Sequence, residues 1–311
     1  MKKLLSVLFL AVICMQVAGQ DIVKETYTYL NSGRKQLKLD KYEIPSADVK
    51  PCLIFMFGGG FVGGTRDNPE YVPFFEFMCR KGYTVVSIDY RLGMKSLAQR
   101  KNPSGLDFIL TLFKTVNDAA RDLFRATRFV LRNAEEWRID PDMIVTCGSS
   151  AGAVSVLQAE YMICERKGSA KRLLPRGFNY AGVISFAGAV LTMDPDLTIR
   201  EAPCPILMFH GDADSNVPYD KLEEMGGGFY GSKYIAGKLR ATSYPYVFYT
   251  FKNAAHEIAT TPMNENRAEL LRFLDDVVKN KRPLQINETI DNGLPARNKN
   301  FKLEDYIKSN F

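Results

Sequence analysis

The stretch Ile144-Val145-Thr146-Cys147-Gly148-Ser149-Ser150-Ala151-Gly152-Ala153 constrains this chain more than any other. An apolar, β-type run enters it, a Gly-x-Ser-x-Gly turn follows, and good helix formers (Val154, Leu157, Gln158, Ala159) continue. Strand, sharp turn and helix is the context that holds a nucleophilic serine clear of a sheet. The two glycines let neighbouring backbone approach without a Cβ clash. Only Ser150 has glycine at both −2 and +2; the same frame on Ser149 would need glycine at Cys147 and Ala151. Ser150 is therefore the candidate nucleophile and Ser149 its neighbour. Gly-x-Ser-x-Gly also occurs by chance, so its meaning depends on the rest of the chain.

A second glycine cluster precedes it. The run Cys52–Phe57 is almost wholly apolar, as a strand buried on both faces should be. It ends in Gly58-Gly59-Gly60-Phe61-Val62-Gly63-Gly64, five glycines in seven positions. Such density means that backbone is needed close to something. An oxyanion loop offering N–H groups to a reacting centre fits. A flexible turn is the plain alternative. A phosphate loop is disfavoured because no Gly-Lys-Ser/Thr follows.

The remaining periodicity alternates strands and helices. Residues 25–30 and 36–43 read as a hairpin turning at Asn31-Ser32-Gly33, with Leu37, Leu39 and Tyr42 inward. Strands are expected over Thr84–Tyr90, from Ile144 into the turn, and over Ala181–Val190, Pro205–Phe209 and Tyr246–Phe251. Helices are expected over Tyr71–Lys81, Asn117–Trp137 and Glu265–Val278. Arg91–Gly105 and Lys167–Arg176 read as loops, and Asp140-Pro141-Asp142 as the end of a connection. The tail from Lys281 is polar and weakly patterned, able to dock through Phe301, Leu303, Tyr306 and Ile307. Asn287-Glu288-Thr289 matches a glycosylation sequon, which only a eukaryotic secretory host would use. This alternation means an α/β fold with a mostly parallel sheet covered by helices on both faces. No linker divides the chain, so residues 20–311 read as a single domain. Insertions at 91–116 and 219–243 could partly cover the top of the sheet.

Only two histidines are present. His210 follows a buried strand in Phe209-His210-Gly211-Asp212-Ala213-Asp214 and reads as a structural member of that turn. Asp214 is the better-placed acid there, with Asp212 second. His256 lies after the next strand in Asn253-Ala254-Ala255-His256-Glu257, where small alanines would let an imidazole reach across the sheet. The order Ser150, Asp214, His256 is nucleophile, acid, base, the chain order of the hydrolase fold.

With these residues in place, the chain resembles the α/β-hydrolase superfamily. More narrowly, it is similar to the carboxylesterase branch that includes hormone-sensitive-lipase-like and feruloyl- or acetyl-esterase-like enzymes. The similarity rests on Phe57-Gly58-Gly59-Gly60-Phe61, Gly148-Ser149-Ser150-Ala151-Gly152, His210-Gly211-Asp212-Ala213-Asp214 with Val217-Pro218, and Ala255-His256, and runs from about residue 35 to 280. It implies that Ser150 attacks an ester carbonyl, His256 shuttles the proton and Asp214 orients the imidazole. It implies an oxyanion hole from N–H groups of Gly59, Gly60 and Ala151, with no metal or organic cofactor. Phe57 stands where the family has the histidine of its His-Gly-Gly-Gly loop, and Ala153 where many relatives have a further glycine.

Composition and the N-terminus bound the partners. Lys2 and Lys3, the apolar Leu4–Met15 and the small residues Val17-Ala18-Gly19 read as an export signal over residues 1–19. Its apolar run of about a dozen residues is short for a membrane span. A periplasmic or extracellular protein with no transmembrane span in its mature form is therefore expected. The formal charge of +6 falls to +4 without Lys2 and Lys3, and the basic residues are dispersed, which argues against nucleic acid. Of six cysteines, Cys14 would leave with the signal; the remaining Cys52, Cys79, Cys147, Cys164 and Cys204 are odd in number and lack Cys-x-x-Cys spacing, so neither a disulfide framework nor a zinc site is indicated. The expected activity is hydrolysis of small acyl esters, with acetyl or feruloyl esters of carbohydrates as candidates and a small-molecule or saccharide ester as partner. The alternatives are a serine peptidase of prolyl-oligopeptidase type, disfavoured by the absence of a preceding propeller domain, and a non-catalytic binding protein on a hydrolase scaffold.

Overall fold

The structure, a computed structural model, describes residues 21–302 and 304, except 34, 101–103, 195 and 225. The export signal at 1–19 and the tail residues Leu303, Tyr306 and Ile307 lie outside the described residues.

The first half builds one side of a sheet. The hairpin forms from β1 (Val23–Ser32) and β2 (Lys35–Glu43), and Leu37, Leu39 and Tyr42 are buried. Then come β3 (Lys50–Met56), α1 (Val72–Arg80) and β4 (Thr84–Ile88), whose strand interiors are apolar and buried. A short α2 (Lys95–Ala98) interrupts the segment expected to be a loop. The next helix, α3 (Gly105–Asn133), runs 29 residues and starts twelve residues before the expected Asn117. Its cap explains the difference. Ser104 Oγ accepts the Asp107 N–H at 3.1 Å, and Gly105 sits at the first helical position, not in the interior. The buried stripe then continues upstream through Phe108, Leu112 and Val116.

The second half supplies the strands that carry chemistry. β5 (Ile139–Ser149) already contains Asp140-Pro141-Asp142, as an irregularity where the register to β3 jumps from Lys50↔Ile139 to Cys52↔Ile144. A bulge is where proline is tolerated inside a sheet. After α4 (Ala151–Cys164), a short α5 (Gly168–Leu173) replaces the expected basic loop. The expected strand Ala181–Val190 is two strands, β6 (Gly182–Phe186) and β7 (Ala189–Thr192). Between them Ala187 takes the left-handed conformation (φ 57°), which ends one strand and turns the chain into another sheet.

β8 (Ile206–Gly211), β9 (Lys221–Glu224), β10 (Gly227–Gly231), α6 (Ser232–Thr242) and β11 (Tyr246–Phe251) follow. The single helix expected at 265–278 is broken. A 3₁₀ turn at His256–Ala259, α7 (Pro262–Glu265) and α8 (Arg267–Arg272) lead into a π-helical turn at Phe273–Lys279. The break falls at Asn266, which leaves helical geometry. The tail is not patternless: Gln285–Ile290 forms β12.

Among the described residues, nine strands make the main sheet, in the order β1-β2-β4-β3-β5-β6-β8-β11-β12. Only the β1/β2 and β2/β4 pairs are antiparallel; every other pair is parallel. α1 packs on β2 and β4, α3 along α4, and α6 on β8 and β11. A small second sheet, β7-β10-β9, was not expected. The insertions at 91–116 and 219–243 meet each other at an apolar groove lined by Phe108, Leu112, Leu191, Leu222 and Phe229. β12 escaped notice because it is an edge strand with mostly exposed side chains. The sequon residue Asn287 lies on it, its amide donating to the Tyr246 hydroxyl at 2.5 Å. Phe301 packs against the core. Among the described residues no helix is long and apolar enough to cross a membrane.

All five described cysteines are free and buried. Burial pushes all five thiols up, that of Cys79 to about 12. The thiolate is the reactive form. A disulfide reagent at pH 8 should therefore leave these thiols unmodified in the native protein, and modify them all once guanidinium unfolds it. Fast labelling of native protein would contradict this burial.

Candidate active site

Ser150 sits between β5 and α4 with φ 51° and ψ −117°, a strained conformation for a residue with a side chain. Backbone bonds hold it there: its N–H donates to Phe186 O at 2.9 Å, and its carbonyl accepts from the Val154 N–H at 2.9 Å. The flanking glycines are required by packing. A Cβ on Gly148 would collide with the Gly152 backbone, and one on Gly152 with the Met56 carbonyl. The turn is thus pressed against the root of the glycine-rich loop.

The structure brings together the three residues singled out above. Ser150 Oγ and His256 Nε2 are 2.7 Å apart, and His256 Nδ1 and Asp214 Oδ2 are 2.8 Å apart. The carboxylate is buried and well supplied with donors. Its Oδ1 accepts the N–H groups of Asn216 (2.7 Å) and Val217 (3.0 Å). Burial alone would raise its pKa. Hydrogen bonds and charge from His210 and His256 outweigh that and hold the carboxyl well below the usual carboxylate range. An ionised partner favours the His256 tautomer that carries its proton on Nδ1, leaving Nε2 free to accept from the serine.

His210 is fully buried, with Nε2 3.3 Å from both Asp214 Oδ2 and Val217 O. Facing two acceptors, Nε2 carries a proton. Nδ1 lies 2.8 Å from Ser232 Oγ. His210 is therefore a structural member that also supports the acid. Asp212 is not at the imidazole: it accepts the Asn253 N–H at 2.7 Å and pairs with Lys299 at 2.6 Å.

Gly58, Gly59 and Gly60 line an open cleft of about 360 Å³ with Ser150, His256, Asn216 and Thr260. Gly59 (φ 122°) and Gly60 (φ 59°) both need the freedom of glycine. Ala151 opens α4, so its N–H has no carbonyl of its own helix to bond. Phe57, in the place of a family histidine, packs its ring on Tyr90 with centroids 4.5 Å apart. Tyr90 in turn donates its hydroxyl to Phe57 O at 2.6 Å. The loop root is therefore anchored without the histidine.

Several neighbours escaped the sequence reading. Tyr71 lines the cleft beside Ser149, the expected neighbour of the nucleophile, and nothing in the local pattern marks Tyr71. The tail reaches the site's outer side. Asn253 Nδ2 donates to Leu294 O at 2.8 Å, and Arg297 and Lys299 pair with Glu257 and Asp212 at 3.0 and 2.6 Å. Among the described residues no three His, Cys, Asp or Glu side chains converge so as to hold a metal ion.

Known proteins can now be set beside this geometry. The alpha/beta hydrolase fold family matches residues 53–194. Esterase B1 of Culex pipiens is 31% identical over 115 residues, which are 37% of this chain and 19% of that protein. Fumonisin B1 esterase of Sphingopyxis macrogoltabida is 30% identical over 108 residues, 33% of this chain and 18% of that protein. The chain thus spans about a fifth of the length of these curated relatives. Among solved structures, the butyrate-bound esterase 2 of Thermogutta terrifontis superposes with a TM-score of 0.57 at 21% identity, covering 84% of this chain and 95% of that one. Sheet order, the turn at Ser150 and these similarities agree: the chain has the α/β-hydrolase fold and is similar to esterases of that fold.

Proposed function

We propose that this chain is an exported serine esterase that hydrolyses small acyl esters, the alcohol being a hydroxyl-rich group such as a saccharide. One observation carries the activity: the continuous Ser150–His256–Asp214 hydrogen-bond chain facing an open cleft. In the reaction Ser150 Oγ attacks the acyl carbon while His256 Nε2 takes its proton. The carbonyl oxygen becomes an oxyanion against N–H groups of Gly59, Gly60 and Ala151. As the C–O bond breaks, His256 returns the proton to the departing alkoxide. Water then repeats the sequence on the acyl-enzyme and frees the acid. Asp214 stays ionised throughout and stabilises the transient imidazolium. Esterase names among the relatives favour an ester over an amide substrate.

The alcohol reading rests on a second cavity. It holds about 140 Å³ and shares Tyr71 and Thr260 with the catalytic cleft. Beyond them it is lined by Glu70, Thr261, Asn264 and Glu265, groups able to bond hydroxyls. It follows the chain onward from His256, the residue that must protonate the leaving oxygen. The apolar groove at Phe108 and Phe229 shares no lining residue with the cleft. Acetyl and feruloyl groups are the acyl candidates. Export rests on Lys2, Lys3 and the short apolar run before Val17-Ala18-Gly19.

p-Nitrophenyl acetate is the first substrate to offer. Turnover should fall by at least about 10⁴-fold in Ser150→Ala and by about 10⁴-fold in Asp214→Asn. Equal turnover by wild type and Ser150→Ala would reject the assignment. For the alcohol, kcat/KM on a monoacetylated methyl glucoside should exceed that on ethyl acetate by about tenfold or more, each hydroxyl contact being worth a factor of several. A preference for ethyl acetate would remove the saccharide reading and leave the esterase standing.

A further inference from the structure

We infer that Tyr71 and Ser149 form a buried hydrogen-bonded brace that sets the oxyanion loop and the base-bearing turn against the nucleophile. Both are positioning residues for the proposed ester hydrolysis, on which this inference rests.

The brace is a single directed chain of bonds. The Gly58 N–H donates to Tyr71 Oη at 3.2 Å. Tyr71 donates to Ser149 Oγ at 3.4 Å, and Ser149 donates to Ala259 O at 2.8 Å. Its direction is forced by its ends. An amide N–H can only donate and a carbonyl can only accept, so both hydroxyls between them must donate the same way. Each hydroxyl then gives one bond and takes one. Both residues border the cleft yet are buried, Ser149 at 1% and Tyr71 at 5% exposure, so each bond lies largely within the protein.

The three segments joined are those the reaction needs in register. Gly58 opens the glycine loop, one residue before Gly59. Ser149 is adjacent to the nucleophile. Ala259 closes the 3₁₀ turn that begins at His256. Binding the Gly58 N–H to Tyr71 also commits it away from the oxyanion, which narrows the donor set to Gly59, Gly60 and Ala151. The brace shares the support of the loop root with the Tyr90 bond to Phe57 O. Two tyrosines thereby hold opposite sides of the segment where the family has its histidine.

The test compares Tyr71→Phe, Ser149→Ala and the double variant in the full chain, with Ser150→Ala alongside. Turnover of p-nitrophenyl acetate is expressed per active site titrated with a fluorophosphonate. Each single variant should lose about tenfold in kcat with KM within about twofold, as expected when reacting groups are misplaced but binding surface is kept. The double variant should lose no more than about tenfold, because either change already interrupts the chain. A purely structural role would lower the titratable fraction or the melting temperature and leave kcat per titrated site unchanged. That result, or losses that multiply in the double variant, would overturn the brace. Should Ser149→Ala fail to fold, Tyr71→Phe, which deletes one oxygen, carries the test alone. Turnover that persists in Ser150→Ala would remove the esterase reading and the brace together. Turnover that needs Ser150 but is undiminished in Tyr71→Phe removes the brace only.

Discussion

The strained backbone at Ser150 is the constraint on which the rest of the molecule depends. A side-chain-bearing residue at positive φ and strongly negative ψ costs on the order of 1–3 kcal/mol and persists only where its surroundings over-determine it. Here they do so on three sides. The last residues of β5 are locked into the sheet between β3 and β6. The first turn of α4 takes up the Ser150 carbonyl. Gly152 lets the turn lie directly on the Met56 and Phe57 backbone, and Gly148 lets the end of β5 lie against Gly152, where any side chain would force the segments apart. The result is a hydroxyl whose position is set by sheet geometry, not by its own rotamer preferences alone.

Around that point the molecule concentrates polar groups that would be costly to bury unpaired. Asp214 is the clearest case. A buried carboxylate is unfavourable unless donors surround it, and two backbone amides and two imidazoles do so here. Three of those four donors come from the end of β8 and the connection that follows it, so the acid is built by one turn and used by another. His210 closes the arrangement from beneath, tied through Ser232 to the start of α6. α6, which directly follows β10, thus supports the site although none of its residues lines the catalytic cleft.

Much of this was legible in the sequence because it follows from short-range rules. Apolar runs such as Cys52–Phe57 and Tyr246–Phe251 can hardly be anything but buried strands, and glycines at fixed offsets mark the turn at Ser150. Asp214 could be preferred over Asp212 from its place in the turn, and the geometry places Asp214 at the imidazole and Asp212 at Lys299. What was missed depends on long-range context. Gly105 looks like a breaker until Ser104 is seen to cap the helix. Ala187 reads as a strand residue until its left-handed conformation sends the chain into another sheet. Gln285–Ile290 has no inward alternation because, at the edge of the sheet, pairing with β11 and not burial holds it. Tyr71 carries no local signal, since its partners are 13 and 78 residues away.

The tail that follows β12 shows how the site is distributed along the chain. Its contacts with Asn253, Glu257 and Asp212 are made by residues 294–299, near the end of the described chain. The nucleophile, the glycine loop and strands β3 to β5 beneath them are encoded in the first half, with β6 following. The acid and base come in the last third, and the outer clasp on their two loops comes last of all. A chain lacking the segments after β7 would therefore hold the serine but neither its acid nor its base. The reactive hydroxyl and the groups that activate it are far apart in chain order and meet only in the folded molecule.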